Sequence, residues 1–332
     1  MRVPYDEVFA VLLKTLLNLG FPDDRARLCA KLFADTSRDG VYSHGLNRFP
    51  QFVRMIKSGI VLVDAHPRLV ANFGALERWN GNAGPGNLNA WQCMERAIEI
   101  SRNHGIGCVA LANTNHWMRG GSYGWQAAEA GVIGICWTNT LPNLPPWGAA
   151  DPRVGNNPLI LAVPRASGHV VLDMAMSQFS YGALAVYRMR GEQLPVDGGF
   201  DSGGNLTRDP AAIELSKRPL PIGYWKGSGL ALLLDMVAAL LSGGCATHQI
   251  EPIPERETKL SQVFIAINPA PLNPSASTTI ADEIIAYVHA TPSASGKRVR
   301  YPGERVLEIR NQNLAEGIPV DPAIWREVQA LQ

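Results

Sequence analysis

At 332 residues, with 46% hydrophobic and 18% charged residues, the chain has the composition of a folded globular protein of about two domains. Thirty Lys and Arg against 29 Asp and Glu leave almost no net charge, which excludes a basic face for nucleic acid or an anionic membrane.

The first residues are amphipathic and interrupted by Asp6, Glu7 and Lys14, which is not a signal-peptide layout. Phe9, Leu12, Leu13, Leu16 and Leu17 recur at helical spacing until Gly20, and Asp23 or Asp24 opens a second helix carrying Leu28, Leu32 and Phe33. A third helix is expected through Leu46 to Ile56, capped by Ser43 and ending at Ser58-Gly59. From about residue 68 the pattern becomes mixed α/β. Helices are expected at 88–102 and 122–130, and short apolar strands at 108–112, 132–137, 158–163, 170–174 and 263–267. Residues 229–241 are apolar nearly all round and predict a buried helix ended by Gly243-Gly244. Further helices are expected at 281–290 and 321–331, with Pro/Ser-rich loops at 254–257 and 270–277. No apolar run reaches membrane-spanning length. Five scattered cysteines (Cys29, Cys93, Cys108, Cys136 and Cys245) without a C-x-x-C pair predict free thiols in a reducing compartment, so the cytoplasm is the expected location.

Several stretches have the residue types that chemistry needs. In Gly40–Pro50, the expected helix puts His44 and Arg48 one turn apart, a group that exchanges protons near neutral pH beside a fork that grips carboxylates. The same spacing also fits a capping histidine and a solvated arginine. Asn115 and His116 lie in a polar loop, 113–121, directly after an apolar strand, where α/β sheets face their ligands; self-satisfied loop side chains are the alternative. Lys226 and small residues open the apolar helix and suit an anion, while Asp235 within that helix needs a partner if buried. Asp173, Met174, Ala175, Met176 and Ser177 end a strand with a carboxylate and soft side chains that suit a flat ring, or simply the core. The Gly81–Gly86 turn lacks the G-x-G-x-x-G frame and a suitable preceding strand, so no Rossmann fingerprint is present. Residues 197–208 lack the final glutamate of a calcium loop and read as a Gly-rich turn. No zinc-ligand spacing or nucleophile elbow occurs, and no metal is expected.

The segments GVYSHGLNRFPQF (40–52), NHWMRGGSYGWQAAEAGVIGICWTNT (115–140), PPWGA (145–149), QLPVDGGFD (193–201) and GYWKGSG (223–229) resemble the type-2 malate/L-lactate dehydrogenase family. The similarity runs on to Tyr301-Pro302-Gly303-Glu304 and so covers essentially the whole chain. It implies an α/β, non-Rossmann, three-layer mixed-sheet dehydrogenase fold. Residues 1–70 and 281–332 would form a helical domain from both chain ends, and 71–280 an α/β NAD-binding domain. It also implies a cytoplasmic homodimer whose active site lies near the subunit interface, using NADH or possibly NADPH on a small keto acid.

The histidine of the family's S-H-G motif, here His44, is then the proton donor. Family cofactor contacts fall on Val171, Leu172, Asp173, Met174, Ala175, Met176 and Ser177, on Trp225 and Lys226, and on Gly303, Glu304 and Arg305. Arg305 departs from the pattern of the members most alike. On this reading hydride passes to the C2 carbonyl of a 2-oxo acid. His44 acts as an imidazolium, Arg48 clamps the carboxylate, and His116 and Asn115 bind substrate hydroxyls or the oxyanion. Asp173 orients His116 or the nicotinamide amide, and Lys226 meets the pyrophosphate. A diketo sugar acid is the expected substrate, with malate, lactate or ureidoglycolate as alternatives. A metal-dependent hydrolase or lyase built on His44, His116 and Asp173, or a non-catalytic binder, are the readings from other classes.

Overall fold

The computed structural model describes residues 1–272, 277–294, 296 and 298–332; residues 273–276 of the expected 270–277 loop lie outside them. Strand β1 (Arg2–Val3) leads through Pro4 into helix α1 (Tyr5–Asn18). Gly20, at φ +88°, turns the chain, and Pro22 opens α2 (Asp23–Arg38). Two 3-10 turns, Tyr42–His44 and Leu46–Arg48, then precede α3 (Phe49–Lys57). The helix expected from residue 46 therefore starts three residues later, and Ser43 caps nothing. Gly45 between the turns has ψ −125°, which interrupts any helix.

A seven-stranded sheet follows. Its strands are β2 (Arg68–Phe73), β3 (Leu76–Asn80), β4 (Ile106–Thr114), β5 (Ile133–Thr138), β6 (Leu159–Val163), β7 (Val170–Met174) and, after a two-residue hairpin β8 (Gly199–Phe200) and β9 (Leu206–Thr207), β10 (Leu260–Ile267). The order is β2-β3-β4-β10-β5-β6-β7, and only the β3–β4 pair is parallel. β3 leads directly through the Gly81–Gly86 turn into α4 (Gly86–His104), so a strand does precede that turn, contrary to expectation. Glu77 and Arg78 hide it by breaking the apolar run. The antiparallel remainder of the sheet still has no Rossmann topology.

Side chains alternate across the sheet. Val109, Leu111, Phe264 and Ala266 pack under α4 and α5 (Gly121–Glu129), while Ala110 and Val263 pack under α8 (Trp225–Ser242). The result is three layers. Periodicity does not foreshadow α6 (Tyr181–Arg190) or α7 (Pro210–Ser216), which share a small cluster of Leu184, Leu194 and Ile213.

The expected burial of α8 is overturned. Ala231, Leu234 and Ala238 meet the sheet, but Leu233 is 58% and Leu240 81% exposed, because one layer covers only one side of a helix apolar all round. By length and composition α8 would suffice for a membrane span, yet its inner side packs on protein. Asp235, on that inner side, accepts from Asn139 Nδ2 at 2.9 Å and from Thr247 N at 2.9 Å, so its partners are structural.

The chain ends meet. After α9 (Ser277–His289) and α10 (Glu304–Glu316), β11 (Ile318–Pro319) pairs antiparallel with β1, and α11 (Pro322–Gln329) adds Trp325 and Val328 to the core of α1–α3. Helix α9 stands outside that core; its Asp282 pairs with Arg165 beside the sheet. Phe33, Phe49 and Phe52 form the aromatic centre, with ring centroids 5.2 and 5.3 Å from Phe33.

One ion cluster ties this helical layer to the sheet. Asp39, 2% exposed, accepts from Arg38 Nε (2.9 Å), Arg119 Nη1 (2.7 Å), and Arg310 Nε (2.8 Å) and Nη2 (2.7 Å). Burial alone would raise its pKa; the guanidiniums outweigh it and hold the carboxyl well below its usual range. The stabilisation is therefore complete above the usual carboxylate range and is lost progressively as pH falls from that range through the depressed pKa of the folded state. Asp39→Ala removes the carboxylate shared by Arg119 and Arg310, while Arg38 keeps Asp35, and should cost about 3–5 kcal/mol, read as a lower urea midpoint.

Candidate active site

Cavities of about 440 and 540 Å³ share a wall that includes His44, His116 and Thr140. The turn carrying His44 is clamped to α2: a Cβ on Gly45 would overlap Ser37 Oγ, which accepts from Leu46 N at 2.8 Å. Ser43 Oγ lies 3.0 Å from His44 Nδ1 and fixes the ring. The ring stacks on His116 with centroids 5.7 Å apart and planes at 22°. Burial first, then the charges of Arg48 and Arg119, push the His44 pKa down to about 4. The imidazolium expected of a proton donor is thus not its resting form at neutral pH.

His116 sits in the loop after β4. Its Nδ1 accepts from Met118 N at 3.0 Å, so in the neutral ring Nε2 bears the proton and is a donor. Burial, with Arg48 and His44 nearby, keeps it neutral. Arg48 lines the second cavity with His44, as expected, although the two share no helix. Among the described residues its side chain makes no hydrogen bond; Glu257 Oε2 stands 3.9 Å away. Its donors are open to a ligand.

The first cavity is lined by Gly121, Trp125, Val171, Leu172, Asp173 and Ala175, with Gly303 among others at its far side. Asp173 Oδ2 accepts from Gly121 N at 2.8 Å. Surrounding protein raises its pKa, against Arg119 and the Gly121 N–H. His116 takes its partner from Met118 instead, so Asp173 does not orient it. Among the described residues no three His, Cys, Asp or Glu side chains are placed to hold a metal ion.

Other expected site residues lie elsewhere. Asn115 is 1% exposed and its Nδ2 donates to Ala83 O (2.8 Å) and Gly84 O (2.9 Å); it ties loops together and lines neither cavity. Met174 and Met176 pack in the core under α8 and line neither cavity, and Ser177 bridges to Pro221. Glu304 is turned toward Arg298 (2.7 Å), and Arg305 is exposed. Trp225 and Lys226 stand exposed at the start of α8 and line neither cavity within this chain. Sequence reasoning missed Thr140, Asn156, Ser180 and Glu257. The rule that strand ends face the ligand, used for β4, would have found Thr140 after β5.

Two cavities thus meet at a pair of neutral histidines, and the second holds an arginine fork that makes no hydrogen bond among the described residues. The chain belongs to the malate/L-lactate dehydrogenase family, whose profile matches residues 3–329. It is 46% identical to 2,3-diketo-L-gulonate reductases of Escherichia coli over the full length of both chains. Among solved structures it is similar to sulfolactate dehydrogenase from Methanocaldococcus jannaschii (28% identity, TM-score 0.91, 100% of this chain and 96% of that one). It is also similar to delta1-piperideine-2-carboxylate reductase from Pseudomonas syringae (27%, TM-score 0.87, 100% of both). Members of this family are oxidoreductases, and the related dehydrogenases point to a nicotinamide cofactor.

The first cavity fits such a group, with apolar walls at Trp125, Val171 and Leu172 for a flat ring and the Asp173 carboxylate as an acceptor. A Cβ on Gly121 would stand 2.8 Å from Asp173 Oδ2 and displace it. Gly121→Ala should therefore weaken NADH binding about ten-fold, measured by titrating nicotinamide fluorescence.

Proposed function

We propose that this chain reduces 2,3-diketo-L-gulonate at C2 to 3-dehydro-L-gulonate, with NADH bound in the first cavity and the acid in the second. The observation that carries the reading is the wall of neutral histidines between a ring-sized cleft and an arginine fork that makes no hydrogen bond among the described residues. The bound reduced nicotinamide supplies hydride to the 2-oxo carbon. Arg48 grips the C1 carboxylate and fixes that carbon at the histidine wall. His116 donates its Nε2–H to the carbonyl oxygen, where negative charge develops. His44 delivers the proton to that oxygen, and Ser43 holds its ring.

His44 is neutral in the free protein, in part because Arg48 faces it. A carboxylate on Arg48 cancels that charge and lifts the His44 pKa, so the acid form arises as the substrate binds. NADH is favoured over NADPH because Arg119, the one lining cation of the first cavity among the described residues, is committed to Asp39. The size and polar walls of the second cavity favour a sugar acid over malate or lactate. A second copy of the chain would cover the exposed face of α8, giving a homodimer and bringing Trp225 and Lys226 under an interface. The five cysteines, all free, suit the cytoplasm.

Purified protein should oxidise NADH rapidly with 2,3-diketo-L-gulonate and slowly with oxaloacetate or pyruvate; no oxidation with any of them sinks the proposal. His44→Ala should lower kcat about 10²–10⁴-fold. Arg48→Lys should mainly raise KM for the acid, since charge remains but the fork is lost. Reduction requires protonated His44, so kcat/KM should climb steadily from about pH 8 to about pH 5, with kcat bending at higher pH than kcat/KM.

A further inference from the structure

The second cavity is lined by three cations, Arg48, Arg188 and Lys217, and two carboxylates, Glu214 and Glu257. Arg188 is already paired with Glu214 at 2.6 Å, and Lys217 is exposed at the surface, where solvent screens it. Arg48 is therefore the one inner cation open to a carboxylate, and Glu257 stands beside it.

Glu257 is held in place. It is 5% exposed, its Oε1 accepts from Leu141 N at 3.2 Å, and its Oε2 lies 3.9 Å from Arg48 Nη2. The segment before it is pinned by Gln51 Nε2, which donates to Pro254 O at 3.0 Å. Burial raises its pKa, while Arg48 and the Leu141 N–H act against burial. At 3.9 Å the Arg48 contact is too long for a hydrogen bond, so Oε2 keeps lone pairs free toward the cavity. A fixed acceptor there does two opposite things. It welcomes a hydroxyl, and it repels a second carboxylate placed beside it, at the inner end of the cavity away from the exposed Lys217.

We propose that Glu257 is a specificity-determining residue: it accepts a substrate hydroxyl and turns away dicarboxylates, so that this cavity selects hydroxylated 2-oxo monocarboxylates. The inference rests on the acid occupying the second cavity with its C1 carboxylate on Arg48. It is independent of which hydroxylated acid is the natural one.

The test compares wild type with Glu257→Gln on 2,3-diketo-L-gulonate, oxaloacetate and pyruvate at about pH 8, well to the alkaline side of the ordinary carboxylate range. Gln keeps the size and the acceptor for Leu141 N while removing the charge. The kcat/KM for oxaloacetate should rise about ten-fold or more, that for the diketo acid should fall several-fold, and pyruvate should change less than about three-fold. An equal change on all three substrates, or no change, overturns the role. If the Gln protein does not fold by thermal melting, Glu257→Asp replaces it. The shorter carboxylate should keep the discrimination against oxaloacetate and lose efficiency with the diketo acid; loss of that discrimination overturns the proposal. A wild type that oxidises NADH with none of the three acids defeats the underlying functional reading instead, so the two failures are distinct.

Discussion

The Asp39 cluster is the constraint on which the rest of the architecture depends. Asp39 ends α2, Arg310 lies on α10 near the other end of the chain, and Arg119 belongs to the loop that carries His116. One buried carboxylate therefore joins the helical layer, the C-terminal helix and the active-site loop. Buried ion pairs gain little net stability, because desolvation opposes the attraction, but removing one partner strands the others at high cost. Such a cluster specifies an arrangement more than it strengthens one. Here it sets the His116 loop against the Ser43–His44 turn, which stacks the two histidine rings.

The same surplus of guanidinium groups shapes the electrostatics of the site. Burial first, and then Arg48 and Arg119, depress His44; burial first, and then Arg48 and His44, depress His116, so the protein maintains two uncharged imidazoles beside guanidinium groups. Their field has no hydrogen-bonded counter-charge at Arg48, where Glu257 stays at 3.9 Å. An anionic ligand completes it. In the proposed mechanism an anionic ligand on Arg48 removes one of the charges that, after burial, keep His44 neutral.

Much of the fold was legible from apolar runs, since β4, β5 and β10 are buried on both faces and read as continuous hydrophobic segments. β3 was hidden by Glu77, a fully buried carboxylate that accepts from Arg96 Nη2 (2.7 Å), Trp79 Nε1 (2.8 Å) and Asn72 Nδ2 (3.0 Å). No periodicity rule anticipates a charge satisfied by residues from three places. Helix α10 was unreadable for a related reason: its Glu304 and Arg310 serve ion pairs, while Val306 and Leu307 are only half-buried. At the site, His44, Arg48 and His116 stood out because their residue types are rare and chemically specific. Met174 and Met176 misled because adaptable side chains suit a core as well as a ring. Glu257 carried no local signal, since it comes from a Pro-rich loop remote in sequence from Arg48.

The segment that carries Thr140 shows why the polar core lies where it does. Asn139 donates to Asp235 Oδ1 (2.9 Å) and Cys245 O (2.7 Å) and accepts from Ser261 N (2.8 Å). Asn157 accepts from Thr140 N (3.0 Å) and donates to Ala231 O (2.8 Å). These bonds pin the segment after β5 to α8 and β10, and Thr140 lines both cavities. An apolar core would fill the same space without fixing a loop direction, whereas a satisfied polar network has few alternative arrangements. Neutral imidazoles act through directional hydrogen bonds and lose their effect when the facing wall shifts by a fraction of an ångström. The polar residues buried between sheet and α8 therefore fix the course of the segment that carries Thr140, and they explain why Asp235 sits in an otherwise apolar helix.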